Sequence, residues 1–521
     1  MTRNRWFRAG DANAFFALMF DNVANLVILV TILVGVFDFP RDLVLRRIVP
    51  GTAVGVLVGD LLYAWMARRL ARRTGRTDVT AMPLGLNAPS VFGMSFAVLG
   101  PAYLATGDAV LSWKMGMAVT VLVGLFKMGL AFAGNAVRSF VPRAGLLGSI
   151  AGAGIALIAF LPFLKVFSSP IVGFAALGII LVTLVAGVRL PFGLPGAFVS
   201  VVVGVALHYV LVAAGFGPAA SAAAPAAEGL ALAIPWPSLA FLGGLSLAWA
   251  YLPIALPFAV MTIVGGIDNT ESAAAAGDEY DTRGILMTEG FCTFVAGLCG
   301  GVVESTPYIG HPAFKKMGAG AGYAVATALF VGLGGMLGYL PFLVGWIPAA
   351  AVAPILVYIG LEVVAQGYLA TPARHGPAIS LAILPSLAFL VSLQVGSVLA
   401  AAGTSAANLT GETGETFRAI QLLGNGFIVT ALLWGAAGAE VIDGRFRRGA
   451  LYFAAAGVLC LFGVIHSPAA QGTFFLPWRI ADPAPMTFAA GYLTLALIVL
   501  AASLRGRPLA PEPARKSENQ D

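Results

Sequence analysis

The sequence predicts an all-α polytopic membrane protein, and three observations carry that expectation. The chain is 59% hydrophobic and only 10% charged, with a mean hydropathy of +0.91. An ordinary globular domain is about 25% charged, and here the deficit persists along the whole length, which argues against a soluble core. Apolar runs of spanning length recur from end to end. Lysine and arginine gather in the short connections between those runs. The net charge of +6 and pI near 9.3 are therefore topology signals and do not point to a nucleic-acid partner.

A spanning helix needs roughly 20 mostly apolar residues, and about 14 to 16 segments qualify. They begin near Ala14, Pro50, Pro83, Ala109, Gly145, Pro170, Pro195, Leu239, Met287, Thr306, Tyr323, Ala349, Pro377, Ile420, Ala450 and Thr487. The opening "MTRNRWFRAGDANAFFALMF" lacks a small-residue cleavage site and stays apolar past Asp21, so it reads as a first span and not a removed leader. With the N-terminus inside, the connections after spans two, four, ten, twelve and fourteen also fall inside. They contain "RRLARRTGR", "RSFVPR", "FKKMG", "ATPARHG" and "DGRFRRG". The loops 215–235 and 398–416 fall outside with only acidic charges, Glu228, Glu412 and Glu415. Both termini are thus expected in the cytoplasm of an inner (plasma) membrane protein. One connection breaks the pattern, "PRDLVLRR" after the first span. The tail 506–521 is rich in proline and charge and is expected to be disordered.

Two pairs of short strings repeat in the same order. "FDNVANL" from Phe20 matches "IDNTESA" from Ile267, and "TAMPLGLNAPSVFGM" from Thr80 resembles "ESTPYIGHPAFKKM" from Glu304. They predict two repeats, residues 1–235 and 236–443, with additional spans over 444–505. Pro83 and Pro307 each remove an N–H and disfavour helix just before them. Each segment should enter as extended chain and turn helical midway. Irregular backbone at membrane depth is tolerated only when buried in protein or lining a cavity. Two such half-helices meeting at mid-depth would edge a polar pocket, a common transporter plan.

The runs "GGIDNTESAAAAG" and "TEGFCTFVAGLCGGVVESTPYIG", with "MPLGLNA" in the first half, resemble the xanthine/uracil permeases, nearest their azaguanine-resistance purine branch. The resemblance implies fourteen spans in two inverted repeats. A core domain (spans one to four and eight to eleven) would face a gate domain (five to seven and twelve to fourteen), with substrate against spans three, eight and ten. It also implies a homodimer and proton- or sodium-coupled uptake of a nucleobase-like solute. The spans after Asp443 depart from that plan. So does span ten, where Gly310 and His311 stand in place of the family's substrate-binding glutamate and Glu304 is the nearest carboxylate.

Ionisable groups inside spans are costly and so mark functional candidates. Asp268, on which the family's span-eight carboxylate falls, and Glu271 lie one helical turn apart and share a face. Both are candidates for substrate binding and for carrying the coupling proton. Glu304 joins them in both roles, and Asp21 in the coupling role. Thr306, Tyr308, His311 and Asn87, the first-half counterpart of His311, are candidate substrate contacts. Asp60, Lys127, Glu289 and Glu362 also lie in apolar runs, where structural pairing is the plainer account. The three cysteines show no disulfide or metal spacing. There is no HExxH pair or GxSxG elbow, so neither an enzyme nor a cofactor is expected. The alternative function is an anion transporter of the sulfate-permease type, for sulfate, bicarbonate or a carboxylate. Against it stand the acids and the lack of an arginine in the presumed pocket.

Overall fold

The computed structural model describes residues 7–86, 88–191, 194–216, 232–340, 346–469 and 472–505. The protein is an all-α polytopic membrane protein, relieved among the described residues by two three-residue strands. The first half of the chain holds α1 (Gly10–Gly35), α2 (Arg41–Thr74), β1 (Leu84–Leu86), α3 (Ala88–Gly93, continuing helically through Thr106), α4 (Ala109–Phe140), α5 (Arg143–Ser168), α6 (Pro170–Val185) and α7 (Gly196–Ala213). The second holds α8 (Leu245–Ala275), α9 (Thr282–Leu298), β2 (Ser305–Pro307), α10 (His311–Lys316), α11 (Gly322–Leu337), α12 (Ala349–Leu369), α13 (Gly376–Ala401), α14 (Gly411–Gly424) and α15 (Phe427–Ile442). Two further helices follow, α16 (Phe446–Leu461) and α17 (Ala484–Arg505).

Each apolar segment expected from hydropathy coincides with one of these helices or with a strand and its following helix, except that the segment from Ile420 runs across the break between α14 and α15. Length separates them. Among the described residues eight helices are long and apolar enough to cross a membrane, or up to ten if each bent pair counts as one span. The short segments are those that proline or glycine interrupts. Where a helix starts sharply, a side chain supplies the missing acceptor: Asp108 takes the amides of Val110 and Leu111 (2.9 and 3.0 Å), and Asp281 takes that of Gly284 (3.0 Å). Asn87, the loop tip 217–231 with Glu228, and the tail 506–521 lie outside the described residues.

The helices sort into two groups by their packing. In the core group α4 lies along α9, α2 along α11 and α9, α8 along α4, and α1 along α11. In the gate group α13 and α15 lie along α5, and α12 packs on α5, α6 and α7. The added α16 and α17 pack on each other, and α16 on α15. Small residues let core helices touch backbone to backbone, the usual device where lipid offers no hydrophobic drive. A Cβ on Gly124 of α4 would lie 2.6 Å from the Phe294 amide nitrogen, and one on Gly290 of α9 would lie 2.8 Å from that of Met128. This close crossing brings Lys127 and Glu289 face to face.

The broken segments of the two halves meet. β1 and β2 pair antiparallel with Leu84 opposite Pro307, Gly85 opposite Thr306 and Leu86 opposite Ser305. The Tyr308 amide donates to the Pro83 carbonyl at 2.9 Å. Two chains running in opposite directions at one point is what inverted repeats require. Every residue of both strands is buried.

Candidate functional site

Extended backbone in a membrane protein must find partners for its amides and carbonyls. Each half meets that need with its own neighbouring helices. Asn22 of α1 accepts from the Leu86 amide (3.0 Å) and donates to the Leu84 carbonyl (3.4 Å), and Asn25 donates to the Leu86 carbonyl (3.1 Å). Asp60 of α2 accepts from the Leu84 amide at 3.0 Å. Gly85 makes this possible: a Cβ there would stand 2.9 Å from Asn22 Oδ1. In the second half Asn269 of α8 donates to the Pro307 carbonyl (3.0 Å). The Thr293 hydroxyl of α9 accepts from the Ser305 amide (3.2 Å) and donates to the Ser305 carbonyl (3.1 Å). The repeated Asp-Asn pair therefore has a physical reason in its asparagines, which hold the strands.

A cavity of about 1300 Å³ lies between the groups, closed at one end by the crossing strands. Its core wall includes Asp21, Asn25, Thr262, Asn269, Thr306 and Tyr308. Its gate wall includes Phe389, Gln421, Asn425 and Phe427, and the connection between α16 and α17 adds Ser467 and Asp482. Pro89, Phe92 and Gly93 of α3 also face it, so the start of that helix opens onto the cavity. The buried Tyr308 hydroxyl has no hydrogen-bond partner among the described residues.

The candidate residues do not form one cluster. Asp21, Thr306 and Tyr308 line the cavity, with Asn25 donating to the Asp21 carboxylate at 3.1 Å. Asp268 is fully buried beside it and accepts from the Ser149 hydroxyl of α5. Glu304 turns behind β2. It takes the Lys127 ammonium at 2.5 Å and the hydroxyls of Ser90 (2.5 Å) and Thr262 (3.1 Å). Lys127, fully buried, also binds Glu289 at 2.7 Å. Glu271 is held by Arg138 (2.7 Å) and by Arg143. His311 points away from the cavity, with Nε2 3.3 Å from both Asp278 and the Thr80 carbonyl.

Beyond the spans, that last contact belongs to a charged cluster. Asp278, in the connection between α8 and α9, also binds Lys315 (2.6 Å), Arg76 (3.2 Å) and the Thr80 amide (3.0 Å). Burial pushes its carboxyl up, but His311 and Lys315 together hold it below the ordinary aspartate range. Asp78 is held at about 2, chiefly by its hydrogen bond to Arg76. Sequence reasoning treated Lys127 and Glu289 as structural pairing and missed Asn22, Asn25 and Asn269 altogether. The cost of a charge in an apolar run was the available signal for Lys127 and for Glu289; their pairing across separate segments, with Glu304, left none.

No family model matches the chain, and no curated protein matches it. Among solved structures it is similar to the transmembrane domain of the cyanobacterial bicarbonate transporter BicA. Identity is 15% and the TM-score 0.42, over 73% of this chain and 94% of that one. It is also similar to SLC26A9, at 13% identity and TM-score 0.40, over 66% of this chain and 62% of that one. Likeness this distant says nothing of substrate. The expected membership of the xanthine/uracil permeases is nonetheless corrected: the solved structures found are those of a bicarbonate transporter's transmembrane domain and of SLC26A9. Nucleobase uptake falls with it. Two of the carboxylates proposed to bind the substrate, Glu304 and Glu271, are already engaged by cations.

Proposed function

We propose that the chain is a secondary transporter that carries a small anion, an oxyanion or short carboxylate, together with a proton. The observation that carries this reading is where the acids point. Glu304 is paired with Lys127, which it shares with Glu289, and Glu271 is paired with Arg138 and Arg143. The cavity is lined at the crossing strands by Thr306 and by Tyr308, whose buried hydroxyl is unpartnered among the described residues, next to the start of α3. Hydroxyl donors and the open start of a helix favour negative charge. Asp21, the acid left on this wall, is the group we assign to the coupling proton. Protonated, it stops repelling the anion and gains an O–H to donate.

Alternating access requires the core to move against the gate. Three contacts between the groups support a closed end opposite the cavity's mouth: Glu271 with Arg143, Lys316 with Glu362 (2.6 Å), and Gln366 donating to the Ser272 carbonyl (2.7 Å). They lie on the side of the basic connections, and the mouth is bordered by Ala406 and Glu415 of the acidic one. With the basic side cytoplasmic, both termini are inside and the cavity faces out.

The test is uptake of labelled bicarbonate, sulfate and short carboxylates into liposomes containing the purified protein, with and without an inward proton gradient. At least one anion should accumulate with the gradient, and Asp21→Asn should abolish the effect of the gradient. Failure of every anion to enter overturns the proposal.

A further inference from the structure

Helices α16 and α17 lie outside the repeat plan, yet their connection reaches the cavity through Ser467 and Asp482. It is firmly attached there. Asn425 donates to the Ser467 carbonyl (2.8 Å), and the His466 amide donates to the Asn425 carbonyl (3.0 Å). The buried His466 ring bonds the Leu422 carbonyl (2.8 Å) and the Tyr492 hydroxyl of α17 (2.7 Å). Asp482 accepts from the Ala484 amide at the start of α17 (2.9 Å), which fixes its carboxylate from below.

Facing that carboxylate is Arg418 of α14. Its Nη2 donates to both oxygens of Asp482, at 2.9 and 2.7 Å, and the contact uses neither Nε nor Nη1. Arg418 is the one basic side chain among the described residues that line the cavity. The side chains of the pair are 56% and 28% exposed. Ion pairs this open to water hold weakly, so an entering anion replaces Asp482 at small cost. A guanidinium offers the planar fork of donors that oxyanions match.

We infer that Arg418 and Asp482 form an outer capture subsite for an oxyanion, in which Asp482 is the resident counter-ion that the substrate displaces. The subsite is built jointly by the gate helix α14 and the C-terminal extension, so the extension takes part in recognition. The inference rests on the anion reading above.

The experiment measures initial uptake rates of the transported anion in liposomes, at low and at physiological ionic strength, for full-length wild type, Arg418→Gln, Arg418→Lys and Asp482→Asn. Arg418→Gln should raise the half-saturating concentration about tenfold or more, the loss of one charge-assisted contact. Its maximal rate should stay within about twofold, and its salt dependence should flatten. Arg418→Lys should fall between, keeping the charge without the fork. Asp482→Asn should lower the half-saturating concentration by removing the competitor. Should Arg418→Gln fail to fold, Asp482→Asn decides, and an unchanged or raised value overturns the subsite. If wild type carries an anion and both variants saturate like it, this inference alone falls. If wild type carries none, the anion reading falls and this one with it.

Discussion

The two strand segments occupy matching places in the two halves, but they are built from different materials. β1 is fixed by the amides of Asn22 and Asn25 and by one carboxylate, Asp60, and it leads into a helix that runs on to Thr106. β2 leads into a six-residue helix, too short for much of a dipole. It is flanked instead by charge: Lys127 with Glu289 and Glu304 at its start, and Asp278 with His311 and Lys315 beyond its end. The first half brings an oriented helix to the cavity, while the strand of the second is bordered by ionisable groups that do not line it. Shared geometry did not require shared electrostatics.

That contrast can be broken first at its charged end. Lys127→Met leaves Glu289 and Glu304 buried without their cation, and should cost about 3–5 kcal/mol. Asp60→Asn, on the first-half strand, keeps an oxygen for the Leu84 amide and should cost about 1 kcal/mol or less. Thermal unfolding in detergent checks both, and equal losses would show that the halves do not differ as described. The asparagines sharpen the comparison. Asn22→Ala removes two strand contacts and should cost about 2–3 kcal/mol, against about 1 kcal/mol for Asn269→Ala, which removes one. A reversed order would mean that β2 depends on α8 more than its contacts imply.

The smallest effect is in pH. The Asp278 carboxyl has a lower pKa folded than unfolded, so its contribution is complete above about pH 4 and is lost as pH falls through the folded value. Below about pH 4 the melting temperature of wild type should drop more steeply than that of Asp278→Asn. Parallel curves would remove Asp278 from the account.

The apolar segments were legible because the bilayer imposes length and composition one segment at a time. Pro83 and Pro307 were legible as breaks for an equally local reason, and their meeting followed from the repeat. The direction each acid turns was not legible. Glu304 and Glu271 face cations because Lys127, Arg138 and Arg143 arrive from helices distant in sequence. The cavity's far wall was equally hidden, since no local pattern ties Arg418 to Asp482.

The pairing of β1 with β2 also has a consequence for biogenesis. While the ribosome is still making the second half, the amides and carbonyls of Leu84–Leu86 have lost water without gaining their strand partner. Asn22, Asn25 and Asp60 all precede that segment in the nascent chain, and can shelter it in the meantime. Insertion can thus proceed from the first half to the second, with the strand pair completed only when Ser305–Pro307 docks.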